Sequence, residues 1–267
     1  MLVLRDVAKT FHKGEAGQVT ALGGVSLTIE TGDFITVIGS NGAGKSTLLN
    51  CLAGCFFPDA GSIALDGRDI TAMPEYSRAG FLGRVFQDPM RGTCASLTIE
   101  QNLALAARRG NPRGLSLGVK SRDRDRFRQA LARLELGLED RLHARVRLLS
   151  GGQRQALTML MATLLRPEVL LLDEHTAALD PKTGSHILDL TERIVAEGRL
   201  TTLMVTHNMN QAIRFGNRLI MMHQGMVILD VTGDEKRHLT VEDLLQRFVS
   251  LREAGAGEGF SDKMLLI

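Results

Sequence analysis

Short apolar runs rich in β-branched residues alternate along this chain with segments of helical periodicity. Val25–Ile29, Phe34–Ile38, Ser62–Leu65, Arg84–Phe86, Val169–Leu172 and Leu203–Thr206 read as strands. Near the end, RLIMMHQGMVILD sets two apolar runs around His223-Gln224-Gly225, a hairpin signal. The opening LVLRDVAKTF is also strand-like, so an antiparallel section is expected beside a parallel core. The alternation predicts an α/β domain with a largely parallel sheet.

Between about Asp88 and Leu165 the strand pattern gives way to TIEQNLALAARR and RDRFRQALARLEL, which read as amphipathic helices. The expected organisation is one domain over 1–250, a helical part at about 88–165, and a tail at 251–267. The end of that tail, GAGEGFSDKMLLI, is Gly-rich and aperiodic and is expected to be loosely held. From Arg108 to Arg147, 12 Lys/Arg stand against 5 Asp/Glu. Such an excess suits a solvated helical face, or a surface meeting anionic lipid or an acidic partner loop.

Composition narrows this picture only a little. Over 267 residues, 44% are hydrophobic and 23% charged, with a net charge of +2, so nothing argues for nucleic acid as a partner. No apolar run approaches the roughly 18–20 residues that span a bilayer. Arg5 comes too early for a signal peptide, so the cytosol is expected unless a partner holds the chain at a membrane. Cys51, Cys55 and Cys94 make no disulfide framework. Cys51 and Cys55 are four apart on a predicted helix, but no second Cys or His pair completes a metal set. All three are expected to be reduced, small core residues.

The segment FITVIGSNGAGKSTLLNCLAG is the most specific local signal: a strand, then G-x-x-x-x-G-K-S from Gly39 to Ser46, then an apolar helix. Glycines there let backbone N–H groups converge on phosphate oxygens, helped by the positive end of the helix. Lys45 is expected to reach the β- and γ-phosphates, and Ser46 to offer its hydroxyl to Mg²⁺. Such a loop needs an acid at the end of a neighbouring strand, and VLLLDE supplies Asp173 for the metal side. Glu174, one residue on, can orient and deprotonate an attacking water. Together these residues predict a nucleotide hydrolase.

LLSGGQRQA, from Leu148 to Ala156, adds a second anion cradle. Ser150 is a good N-cap, and two glycines leave helix N-terminal amides uncovered. With this motif the chain resembles the ABC ATPases over roughly residues 1 to 235, the family signature standing here as Leu149-Ser150-Gly151-Gly152-Gln153. The resemblance implies a P-loop fold with a RecA-like parallel core, an antiparallel β subdomain and an α-helical subdomain. It also implies a head-to-tail pair of subunits sandwiching ATP and Mg²⁺, the signature of one completing the P-loop site of the other.

Residue by residue, the resemblance assigns Gly39, Ser40, Asn41, Gly42, Ala43, Gly44, Lys45, Ser46 and Thr47 to the nucleotide phosphates and Phe11 to adenine stacking. It assigns Gln87 to Mg²⁺ or water, and His207, 34 residues after Asp173, to the γ-phosphate. Ser46 and Asp173 join Gln87 at the metal. Glu174 is the implied base. Ser150, Gly151, Gly152, Gln153 and the D-loop residue Asp180 are the implied contribution across the dimer.

With no membrane span, the chain resembles a separate transporter subunit held by a permease at the cytoplasmic face of a bacterial inner membrane. The stretch Asp88–Asn102, read as helical, is where such subunits grip the permease. FHKGEAGQVTALGGVSL is similar to importer ATPases and equally to lipoprotein-release and export ATPases. DPMRGTCASLTIEQNLALA with LLDEHTAALDP resembles importer subunits for aromatic amino acids, which work with a substrate-binding protein. One departure stands out: His175 occupies a position where most ABC ATPases have proline. Histidine frees the backbone of Glu174 from the extended bias that proline imposes. It is expected either to pack locally or to tune Glu174.

Overall fold

A computed structural model describes residues 1–111 and 118–253. These divide into two units: Met1–Pro74 with the chain from Thr201 onward, and Glu75–Leu200. The first unit begins with β1 (Leu2–Phe11), β2 (Val19–Ile29), β3 (Phe34–Gly39), α1 (Lys45–Ala53), β4 (Ala60–Leu65) and β5 (Arg68–Asp69). The second unit carries α2 (Glu75–Arg78), β6 (Leu82–Val85), α3 (Ile99–Ala106), α4 (Ser121–Ala132), α5 (Gly151–Thr163), β7 (Val169–Asp173) and α6 (Pro181–Gly198). The chain then returns to the first unit as β8 (Thr201–Val205), α7 (Met209–Arg214), β9 (Arg218–His223), β10 (Met226–Thr232), α8 (Gly233–Arg237) and α9 (Val241–Glu253).

In the first unit, β2, β1, β4 and β5 form an antiparallel sheet in that order. The unit's other strands are led by β3, whose six residues are all buried, as a parallel strand covered on both faces requires. It pairs in parallel with β8 on one side and β9 on the other. β9 turns into β10 through Gln224 and Gly225, both at positive φ (46° and 76°). That is the backbone of a type I′ hairpin turn, whose twist matches the strands it joins. Behind these strands, Ile38, Leu219 and Met221 pack with Met209, Ala212, Leu239 and Leu244 of α7 to α9 and their connection.

In the second unit, β6 and β7 pair in parallel, Val85 opposite Leu172. Leu103, Phe127, Leu131, Leu157, Ile187 and Leu190 bring α3, α4, α5 and α6 around one apolar core. No helix of the described residues is long and apolar enough to cross a membrane.

Several expectations need correction. The stretch Asp88–Asn102 is not helical throughout: α3 starts only at Ile99, after turns through Asp88 to Leu97. Pro89 and Gly92 break helical periodicity, and Thr98 with Gln101 forms a capping box that fixes the start. α1 stops at Ala53, with Gly54 in the left-handed region (φ 81°), so Cys55 lies beyond the helix that holds Cys51. Cys51 is buried, but Cys55 and Cys94 are exposed rather than in a core. Within the basic stretch, Arg124 bonds Glu100 at 2.8 Å, Arg133 pairs with Glu197, and half-buried Arg109 donates to the Ala162 carbonyl. The tail GAGEGFSDKMLLI lies outside the described residues.

Candidate active site

The loop from Gly39 to Gly44 owes its shape to contacts with distant backbone. A Cβ on Gly39 would stand 2.2 Å from the Met222 carbonyl oxygen, and one on Gly44 would stand 2.4 Å from that of Ala21. Gly44 is also the N-cap of α1 at φ 98°, makes no side-chain cap bond, and is followed by no acid in the first turn. The first amides of α1 therefore have neither a capping side chain nor a neighbouring carboxylate, which suits an anion. Lys45 is buried, its Nζ donating to the carbonyls of Gly39 (2.7 Å) and Ser40 (3.0 Å), so the ammonium is held inside the loop. Ser40 and Ala43 are buried, Thr47 is half-buried, and Asn41, Gly42 and Ser46 face solvent. A helix start with no capping side chain, a captive cation and no acid in the first helix turn fit a nucleotide phosphate.

His207 reaches the same edge by strand register. β3 and β8 run parallel with Val37 opposite Val205, so Gly39 and His207 each lie two residues beyond a matched pair. The Thr206 amide donates to the Val37 carbonyl at 3.1 Å, extending the register to the residue before His207. The exposed His207 sits between Thr206, whose hydroxyl contacts Gln211 at 2.9 Å, and Asn208, which caps α7. Phe11, at the end of β1, is half-buried. Its ring meets Phe56 edge-on at 5.3 Å, with the Lys9 ammonium 5.7 Å from its centroid.

In the second unit the paired ends of β6 and β7 deliver Gln87 and the two acids at one edge, since Val85 is matched with Leu172. Gln87 is exposed, while Asp173 and Glu174 are half-buried. Burial raises the Asp173 carboxyl above its ordinary value, against the pull of the Arg84 guanidinium 3.5 Å away and with a push from Glu174. Arg84 also lies over the Phe86 ring at 4.6 Å, and Arg91 over the same ring at 5.2 Å. Glu174 adopts φ 42°, the left-handed region that non-glycine residues enter at a cost.

His175 points away from this edge. Its ring is buried, with Nε2 3.0 Å from Thr191 Oγ1 on α6. Burial pushes its pKa down to about 4, so the ring is neutral near pH 7. The ring is thus packed locally, against α6.

The signature forms a second helix N-terminus. The Gln153 amide donates to Ser150 Oγ at 3.2 Å, and the Ser150 amide to Gln153 Oε1 at 3.3 Å, a capping box. Gly152 packs closely on α6: a Cβ there would lie 2.3 Å from Thr183 Cγ2 and would have to displace that methyl group. Asp180 caps α6 by accepting from the Thr183 amide at 3.0 Å; hydrogen bonding from the Thr183 side chain first, and from its amide second, holds the carboxyl below the usual value. Arg154 donates to the carbonyls of Val146, Arg147 and Leu149 and so steadies the chain entering Ser150.

Of the assigned residues, the P-loop, His207 and Phe11 thus share the first unit, and Gln87, Asp173, Glu174, the signature and Asp180 the second. Arg84, Arg154 and Thr191 were not foreseen. Arg84 and Thr191 act on partners far away in sequence, and no spacing rule marks them. Among the described residues no group of three or more His, Cys, Asp or Glu gathers to hold a metal. The oxygen donors Ser46, Gln87 and Asp173 are of the hard type that Mg²⁺ takes.

Comparison with known proteins agrees with this chemistry. Residues 22–177 match the ABC transporter family. The chain is 46% identical over 248 residues to the tyrosine transport ATP-binding protein of Clostridioides difficile, covering 93% of this chain and 98% of that one. It is 36% identical over 231 residues to the methionine import ATP-binding protein MetN 2 of Enterococcus faecalis, covering 85% of this chain but 64% of that longer relative. Among solved structures, a dimeric ATP-binding cassette bound to ADP and phosphate superposes with a TM-score of 0.73. That match has 32% identity and covers 87% of this chain and 98% of that one. The chain therefore belongs to the ABC transporter family, as an ATP-binding subunit with ATPase activity.

Proposed function

We propose that this subunit hydrolyses ATP to drive import of an amino acid, aromatic in class, through a separate membrane permease. In this reading Phe11 stacks on adenine, and Lys45 with the amides of Gly39 to Thr47 binds the phosphates. Ser46, Gln87 and Asp173 would hold Mg²⁺, which supplies charge neutralisation at the phosphate oxygens. Glu174 orients the attacking water and takes its proton as the bond from the γ-phosphorus to the ADP oxygen breaks. His207 contacts the γ-phosphate. Ser150, Gly151, Gly152, Gln153 and Asp180 of a second copy complete each site, so two ATP molecules are enclosed by a head-to-tail homodimer.

The observation that carries the hydrolytic part is the adjacent acid pair at the end of β7, a strong fit to a metal-side carboxylate followed by a base. Import, rather than lipoprotein release or export, is favoured by the tyrosine transport and methionine import relatives. The subunit then works at the cytoplasmic face of the membrane, held by the permease, with a substrate-binding protein delivering the cargo.

Glu174→Gln tests the reading. With saturating MgATP this variant should bind ATP, fail to hydrolyse it and accumulate as a dimer by light scattering. A variant that binds ATP yet stays monomeric, or still turns it over, would refute the sandwich or the base assignment respectively. For the cargo, uptake of labelled tyrosine and tryptophan by the complex reconstituted with its co-purifying permease and binding protein is the direct measurement.

A further inference from the structure

His175 follows Glu174 directly, and its hydrogen bonding fixes more than its own ring. The Thr191 hydroxyl lies 3.0 Å from His175 Nε2 and 2.7 Å from the Ile187 carbonyl oxygen, one turn back on α6. A carbonyl oxygen can only accept, so the single hydroxyl proton occupies the shorter contact. Oγ1 must then accept from the imidazole, which places the ring proton on Nε2. The acceptor is held by its own helix, so the ring is tied to a rigid point about three turns into α6.

The segment on the other side of this tie is strained. Glu174 sits at φ 42°, and the turn behind it is closed by Ala177 N–H to the Glu174 carbonyl (3.0 Å) and Leu179 N–H to that of Thr176 (3.1 Å). A proline at 175 would have no side-chain donor and would steer Glu174 toward the extended region. Histidine allows the left-handed backbone and supplies a buried anchor one residue away.

We propose that His175 is a positioning residue for Glu174: its Nε2–H bond to Thr191 anchors the Glu174–Asp180 turn on α6 and maintains the backbone that aims the Glu174 carboxylate. The inference rests on Glu174 being the base.

The test is steady-state MgATP hydrolysis by the full chain, with kcat and KM resolved and thermal unfolding followed alongside. Thr191→Val keeps the side-chain volume and removes the acceptor. It should lower kcat about tenfold, equivalent to about 1.4 kcal/mol, the size of one neutral hydrogen bond. KM for ATP should stay within about twofold, since binding groups are untouched. Thr191→Ser should restore kcat. His175→Leu should match Thr191→Val, and the double variant should be no slower than either, because both remove one bond. Nitrogen-15 NMR of the imidazole should locate the proton on Nε2.

Unchanged kcat in Thr191→Val, additive losses in the double variant, or an Nδ1–H ring overturns the proposal. Where Thr191→Val also lowers the unfolding temperature, kcat is counted per chain that binds ATP, and full activity on that basis overturns it too. The two readings separate cleanly. Hydrolysis retained in Glu174→Gln removes the base assignment, whereas an inactive Glu174→Gln beside a fully active Thr191→Val removes only the positioning role.

Discussion

Replacing Gly44 by alanine should destabilise the chain well beyond what its dihedral angle alone would cost. The added Cβ would stand 2.4 Å from the Ala21 carbonyl oxygen and 3.2 Å from Leu22 Cδ2, and the first of these is backbone of β2 that cannot swing aside. Holding alanine at φ 98° costs about 1 kcal/mol, and wedging a methyl into packed backbone adds about 1–3 kcal/mol. The sum is about 2–4 kcal/mol, which at about 2–4 °C per kcal/mol lowers Tm by about 4–16 °C. Gly42 provides the control: it is also at positive φ (79°), but a Cβ there meets nothing within 4 Å. Gly42→Ala should therefore lose only about 1 kcal/mol, or about 2–4 °C. Circular dichroism melts of the nucleotide-free variants give both values. Equal shifts would refute the argument that the close approach of β2, rather than the dihedral, reserves position 44 for glycine.

Two further variants probe other parts of the site. The unfolded chain protonates His175 near 6.5 and the folded chain only near about 4, so between those values the unfolded state binds more protons. His175 therefore contributes stability above pH 6.5 that is lost as pH falls, by about 3 kcal/mol at pH 4. Denaturant unfolding of His175→Gln should show a flatter acid limb than wild type over that window, and identical limbs would contradict a buried neutral ring. Ser150→Ala deletes the oxygen that accepts from the Gln153 amide and should cost about 1 kcal/mol, with Ser150→Thr close to wild type. An unaltered melting temperature in Ser150→Ala would mean that the capping box contributes nothing to α5.

The readable parts of this protein are those whose chemistry is contiguous. β3, the P-loop and α1 follow one another without interruption, so spacing alone specifies a strand, an anion loop and a helix start. The Ser150–Gln153 capping box lies within four residues, and the β9–β10 hairpin turns on two. In each case the interacting groups are neighbours in the chain, and a local pattern carries the geometry. The misreading of Asp88–Asn102 was local too: the strand pattern stops at Asp88, yet Pro89, Gly92 and the Thr98 cap defer the helix to Ile99.

The amino-acid order alone was enough to place the strands of the parallel core, the glycine loop before α1, the helix start at Ser150 and the acid pair after β7. Which residues those groups touch depended on the packing of segments far apart in the chain. His175 meets Thr191 sixteen residues later, Arg84 meets Asp173 across the β6–β7 pair, and Gly44 is pressed by Ala21 on β2. Periodicity reports which face of an element is apolar, and motif spacing reports what a short segment can bind. Neither carries the register between strands or the approach of one helix to another, and those distances turn His175 from an anomaly beside an acid pair into a residue tied to α6.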